Sequence, residues 1–366
     1  HWDRNYAETR MPAVPSSILE MLSHQNFADM KFGHDPNFKF TLARSIYKSI
    51  LRFVNSEHGI KNYKIQPLAP HNFSSEFTAD GTGVKLSWSP TLDSLETSAN
   101  PTGYVLYTKV DDEDFDNGLY VGNVTEYMVP LTTGRVYGFR VAAVNAGGQS
   151  FPTETLAAYR SANAESKRIL IVNGFNRVSG PAWVDTADSL GFRLDLDPGV
   201  PYLRTTAYSG QQRVFSRSSM GHEGTSGLGY SGHEWVGKEI AGNTFDYSFA
   251  HGLSIATAKN YSFVSTSSEA FSSAVYNATP YAAIDYIAGL QADLPYNLKS
   301  YPVFTSALCD KLQRYLKNGG SLFLSGSYIG SDGQNSKEIR DFTEEVLKYK
   351  YRSEEHTSEL QSPDHL

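Results

Sequence analysis

The feature that most constrains this chain is a change of hydrophobic period near residue 165. Before it, apolar and polar residues alternate. Val84, Leu86 and Trp88 flank Lys85 and Ser87, and the stretches 103–110, 125–129 and 135–144 repeat the pattern. Period-two alternation turns one side of an extended strand to a core and the other to water. Asn145 to Ser150 then supplies Gly-rich turn chemistry. Several short strands so spaced predict a β-sandwich of about a hundred residues. Beyond residue 165 the apolar runs become continuous: Ile169 to Val172 leading into Asn173-Gly174, a strand centred on 283–287, and 321–327. Such strands are buried on both faces, as in a parallel sheet covered by helices. Helical spacing over roughly 305–318, stopped by Gly319-Gly320, and over about 336–347 supplies that cover. The fold class is therefore multidomain, with a linker at 61–69, a β-sandwich at 70–162 and an open α/β sheet at 167–351. Pro67 in the linker and Pro70 at its boundary with the sandwich imply that the sandwich is an independent unit.

Trp88 on the second strand, and Tyr137 ahead of Phe139-Arg-Val-Ala-Ala-Val144, resemble the signature residues of fibronectin type III domains. The resemblance implies a core role for Trp88 and a hydroxyl on Tyr137 that ties a corner of the sandwich. It implies fold and very little function. Asp111 to Asp116 forms an acidic loop that suits calcium or a solvated turn. The later region is weakly similar to flavodoxin-like, amidotransferase-type domains, through its order of helix, Asn318-Gly-Gly320, strand and Ser325-Gly326. In that group the nucleophile is a Cys on a tight turn. Here the turn carries Ser325-Gly326-Ser327, and Cys309 falls in a helix, where a small buried hydrophobe is the expected role. A nucleophilic Ser327 would need a His as base, and His222, His233 and His251 are the candidates. His222 and His233 sit in a loop rich in Gly, Ser and Tyr, with a spacing that matches no compact zinc motif. An accessory α/β domain is the expectation, ahead of a second enzyme.

The first sixty residues carry a different signature. A Pro-led apolar run from Met11 to Leu19 ends in Glu20 and continues as Met21-Leu-Ser-His-Gln-Asn26. A carboxylate closing a short apolar strand is costly unless paired. Partial burial raises a Glu pKa toward the range where it moves protons near neutrality. A plainer alternative pairs Glu20 with Arg10 or Arg44. A helix follows over about 37–56, with Leu42, Ile46, Ile50, Phe53 and Val54 at helical spacing and Gly59 as its stop. The segment resembles the C-terminal motif of zinc-dependent N-acetylmuramoyl-L-alanine amidases, a Pro-led apolar strand ending in Glu and followed by a Ser-Asn loop. The resemblance implies that residues 1–60 are an incomplete α/β amidase remnant. Glu20 would then be the catalytic acid/base serving a zinc-bound water, and Asn26 the loop Asn. The family's zinc ligands lie in upstream motifs absent from this sequence, so Zn2+ is expected in a longer parent, no metal ligand is assigned here, and this chain is expected to be inactive.

Composition narrows the partners. A net charge of −7, with no Lys/Arg run, argues against nucleic acid, and no apolar stretch reaches membrane-span length. Tyr 23 and Phe 20 with 19% charged residues fit a secreted, periplasmic or cell-surface carbohydrate-active protein. A single cysteine excludes a disulfide framework. Residues 352–366 open on RSEEHTSELQS, which reads as the in-frame translation of a common sequencing adapter, so they are set aside as an artefact. The expected function is that of a piece of a peptidoglycan hydrolase that cleaves the N-acetylmuramoyl-L-alanine amide. The alternative is a non-catalytic extracellular protein that binds peptidoglycan or another cell-surface glycan.

Overall fold

The computed structural model describes residues 6–203, 205–208, 212–216, 230–232 and 236–352. The chain divides into two compact units, one of residues 1–43, 178–201 and 205–240, the other of 44–177, 202–204 and 241–366. The interval 178–240, expected within the α/β domain, thus groups for the most part with the N-terminal residues.

The chain opens on α1 (Ala7–Arg10), α2 (Phe27–Gly33) and α3 (Pro36–Glu57). Asn26 caps α2, its side-chain oxygen accepting from the Ala28 N–H at 3.0 Å. Asp35 does the same for α3, taking the N–H groups of Asn37 and Phe38 at 2.8 and 3.0 Å. The expected strand ending at Glu20 does not form, and residues 6–60 contain no strand at all, so the α/β character expected of 1–60 is corrected. Residues 11–26 are extended or turn-like and exposed. Pro12 and Pro15 remove two ladder donors, and no neighbouring strand supplies partners.

Sandwich strands follow in order: β1 (His71–Phe77), β2 (Gly83–Ser89), β3 (Gly103–Val110), β4 (Leu119–Gly122), β5 (Glu126–Pro130), β6 (Val136–Asn145), β7 (Gly148–Pro152) and β8 (Leu156–Tyr159). β9 (Lys167–Asn173) begins the parallel sheet. Short strands β10 (Trp183–Asp185), β11 (Ser189–Phe192), β12 (Thr206–Tyr208), β13 (Gln212–Ser216), β14 (Tyr230–Gly232) and β15 (Lys238–Ile240) interrupt it. They pair as β10-β11-β13-β14 and β12-β15, all antiparallel. In that unit Phe27 of α2 lies 5.2 Å from the Phe192 ring and edge-on to Trp183. Lys31 sits over the same indole at 3.6 Å while bonding Asp185 at 2.9 Å.

The larger unit completes the parallel sheet with α4 (Tyr247–Thr257), β16 (Tyr261–Ser267), α5 (Ser268–Ser272), β17 (Ala283–Gly289), α6 (Ser306–Lys317), β18 (Ser321–Gly326) and α7 (Lys337–Asp341). Its strands are ordered β16-β9-β17-β18, all parallel. In sequence rank that is 2-1-3-4, the order of doubly wound sheets, with a topological switch between β9 and β17. Tyr137 accepts the Thr132 N–H on its hydroxyl at 3.1 Å, the corner tie expected for it. Trp88 is 4% exposed and meets Tyr104 edge-on at 5.4 Å.

The sandwich does not stand apart. β16 pairs with β8 through Phe263 and Tyr159 and with β1 through Thr266 and Ser74. The seam is serine-rich. Ser75 Oγ donates to the Ser265 carbonyl at 2.7 Å and accepts its N–H at 3.0 Å. Ser265 Oγ does the same for Ala157, at 2.9 and 2.6 Å. One continuous core runs from Phe73, Leu86 and Phe139 to Leu170, Val264 and Leu312. A second cluster, including Ile171, Phe249 and Phe263, lies under α4. The proline linker therefore precedes an extended sheet, and the sandwich is not the independent unit its flanking prolines imply.

Candidate functional site

Open parallel sheets bind ligands beyond the carboxyl ends of their strands, where the strand order reverses. In this chain that position is held by the segments after β9 and β17. Gln291 locks them together: its Oε1 accepts the N–H groups of Asn176 and Arg177 at 3.1 and 2.9 Å, and its Nε2 donates to Asn176 Oδ1 at 2.8 Å. Arg177, fully buried, donates to the Leu290 carbonyl at 3.1 Å. Asn243 bonds the carbonyls of Phe175 and Arg177. Gly174 is required at this point, because a Cβ there would stand 2.5 Å from the Tyr286 hydroxyl.

A cleft of about 320 Å³ opens beside this lock, at the lower end of the range for small-molecule sites. Its lining includes Ser268 and Ser272 of α5, Ser300, Thr305, and the amide side chains of Asn176 and Gln291. Buried Tyr286, Tyr301 and Leu308 contribute the apolar part of the lining. Two side chains in the lining carry charge, Glu269 and Lys299. The outer wall is pinned by two carboxylates. Asp293 accepts the Tyr301 N–H at 3.1 Å and the Ser300 hydroxyl at 2.9 Å. Asp332 accepts the N–H groups of Asp293 and Val303 at 2.6 and 2.8 Å, and burial raises its pKa. Burial lifts the Tyr286 phenol far above its ordinary range, so it serves as a neutral group.

Glu269 is exposed, and its Oε2 accepts the Asn72 N–H at 3.2 Å. Half-buried Glu154, on the approach to β8, lies near enough for its charge to be felt. Burial pushes the Glu154 carboxyl up to about 7, and the negative charge of Glu269 adds to the rise.

The residues singled out from sequence fall elsewhere. Glu20 is exposed on the unpaired segment, and Arg44 pairs with Asp93 at 2.9 Å instead of with Glu20. His251 of α4 bonds Asp285 of β17 at 2.8 Å, and that bond raises its pKa. Among the described residues no hydrogen bond links it to Ser325 or Ser327. His222 and His233 lie outside the described residues. Cys309 is buried in α6, where burial pushes its thiol up to about 12, the inert state expected of a core residue. In the acidic loop, Asp111 accepts the Val136 N–H at 2.8 Å and pairs with Arg135, while Asp116 holds the N–H groups of Thr108 and Gly118. Those carboxylates shape the loop. Among the described residues no group of three or more His, Cys, Asp or Glu side chains could hold a metal ion.

The family comparison agrees with the sandwich geometry. Residues 68–159 match the family model described as the fibronectin type III domain, so the chain contains one such domain. A solved structure titled as the fourth fibronectin type III domain of a human protein is 23% identical, covering 28% of this chain and 87% of its own, with a TM-score of 0.25. A structure titled as a myokine is 19% identical over 26% of this chain and 98% of its own, with a TM-score of 0.22. No curated protein matches the chain.

Proposed function

We propose that this chain is the non-catalytic, glycan-binding part of an extracellular adhesion or cell-surface protein, and that the cleft at the β9/β17 switch point holds the glycan. The observation that carries the reading is the lining of that cleft. The lining combines hydroxyls and amides with buried aromatic and aliphatic side chains, which suits a polyhydroxylated ring better than an apolar or a strongly ionic ligand. The adjoining fibronectin type III domain supports an extracellular setting. Among the described residues no helix is long and apolar enough to cross a membrane. The test is binding of the full chain to purified peptidoglycan and to a panel of soluble polysaccharides, by sedimentation and calorimetry. Saturable binding that is lost in Ser272→Trp, which fills the cleft, is the expected result. Failure to bind any glycan, or binding indifferent to Ser272→Trp, overturns the reading.

The motif at residues 11–26 supports a second reading, in which a longer parent cleaves the N-acetylmuramoyl-L-alanine amide and Glu20 carries the proton. The residues present do not fit a zinc ion, since Glu20 is exposed and no cluster of ligands accompanies it among the described residues, so no step through a metal is drawn. Amidase turnover by the longer protein that survives Glu20→Gln unchanged overturns this reading.

A further inference from the structure

Within the cleft, Glu269 differs from every other lining group. It is the one carboxylate in the lining, it is exposed, and it takes a backbone N–H from a different part of the fold. That N–H belongs to Asn72 of the sandwich. Asn72 has φ 53, the left-handed region, and sits where the β1–β2 register shifts between His71 and Ser74. A bulge of this kind turns a strand locally and re-aims its groups, and Asn tolerates the left-handed conformation better than most residues. Directly after the bulge β1 returns to its ladder, with Ser74 opposite Thr266 of β16. The irregularity thus presents one N–H to the first turn of α5 while the strand itself stays in the sheet.

We propose that Glu269 is the ligand-anchoring acid of the cleft, accepting two neighbouring hydroxyls of a neutral sugar ring, and that the bulge at Asn72 holds it in position. The proposal rests on the glycan reading above and narrows it. A carboxylate offers about four lone-pair sites, so one N–H from Asn72 leaves room for two hydroxyl donors. Hydrogen bonds to an ionised acceptor are roughly twice as strong as neutral ones, which makes this the group able to set orientation. Ser268 and Ser272 stand beside it as further partners for ring hydroxyls. The negative charge of Glu269 itself sets this end of the cleft against an acidic sugar. Lys299 is placed over the Tyr301 ring at 5.4 Å.

The experiment titrates the full chain with N-acetylglucosamine and, separately, with glucuronate, following amide chemical shifts. The expected result is that N-acetylglucosamine binds more tightly than glucuronate. Glu269→Gln, which keeps shape and loses charge, should weaken N-acetylglucosamine roughly tenfold, about 1.4 kcal/mol. In Glu269→Ala, hydrogen exchange at the Asn72 amide should accelerate while the amides of β2 stay protected. Binding that is blocked by Ser272→Trp yet indifferent to Glu269→Gln overturns this proposal and leaves the glycan reading standing. So does tighter binding of glucuronate, and unchanged exchange at Asn72 overturns the positioning role. If neither sugar binds, this proposal falls, and the glycan reading is decided by the peptidoglycan and polysaccharide panel.

Discussion

Two apolar runs of this chain meet opposite fates. In β9, Leu170, Ile171 and Val172 are wholly buried between β16 and β17. In the segment before α2, Met11, Val14 and Leu19 are 75%, 68% and 58% exposed, with no strand beside them. Both runs are rich in branched apolar side chains. The difference lies in neighbours: a strand exists only where another backbone supplies its hydrogen-bond partners and other side chains cover its faces. Glu20 shares the fate of its segment. A carboxylate tuned by partial burial needs a wall to bury it, and the exposed run provides none.

The sharpest way to break this comparison is to truncate one leucine in each run. Leu170→Ala should cost about 2–5 kcal/mol, because a buried leucine leaves a cavity behind. Leu19→Ala should stay within about 0.5 kcal/mol, as at other exposed positions. Denaturant melts of both variants test the pair, and equal losses would show that the N-terminal run is packed after all. The next effect concerns the seam between sandwich and parallel sheet. Ser265→Ala leaves the buried N–H and carbonyl of Ala157 without their hydroxyl partner, a loss of about 1–3 kcal/mol. If the seam couples the two regions, the loss appears as one shifted transition seen by probes in both. A transition that moves in the parallel sheet alone would return the sandwich to independence.

The smallest expected effect is a pH dependence. The folded-state pKa of Glu154, about 7, lies above the ordinary 4.5, so the folded state binds the proton more tightly. Its stability is complete below pH 4.5, declines as pH rises through 7, and is level beyond. The full shift corresponds to ~3.4 kcal/mol, and partial contact with solvent reduces this to about 1–2 kcal/mol. Glu154→Gln should remove that decline and be the more stable protein at pH 8, with little difference near pH 4. Parallel stability profiles for the two proteins across this window would refute the assignment.

Much of the larger unit was legible in the chain. The alternation at 84–88 and 103–110 fell within β2 and β3, and the continuous runs at 169, 283 and 321 became β9, β17 and β18. Asn173-Gly174 at the end of β9 marked the edge where the cleft lies. β16 escaped notice because Tyr261 to Ser267 holds three serines and a threonine, a composition that reads as loop. Ser265 and Ser262 accept the N–H groups of Ala157 and Ser161 across the seam, and Ser267 caps α5, so their polarity is used inside the fold and cannot be recognised without its partners. α5 is a five-residue helix, too short for periodicity to reveal, and it carries Ser268, Glu269 and Ser272 into the cleft. The role of Asn72 depends on a bulge, which no pattern of apolar residues announces.

The seam also dictates an order of events during synthesis. β1 and β8 are complete once residue 159 has been made, yet the strand that pairs with both begins at Tyr261, about 100 residues later. At a ribosomal pace of ~5–20 residues per second, those two edges wait roughly 5–20 seconds for their partner. An emerging sandwich in that interval is a template for any passing strand. The nascent chain therefore has a defined window of vulnerability, one that closes when β16 leaves the ribosome and not when the sandwich itself is finished.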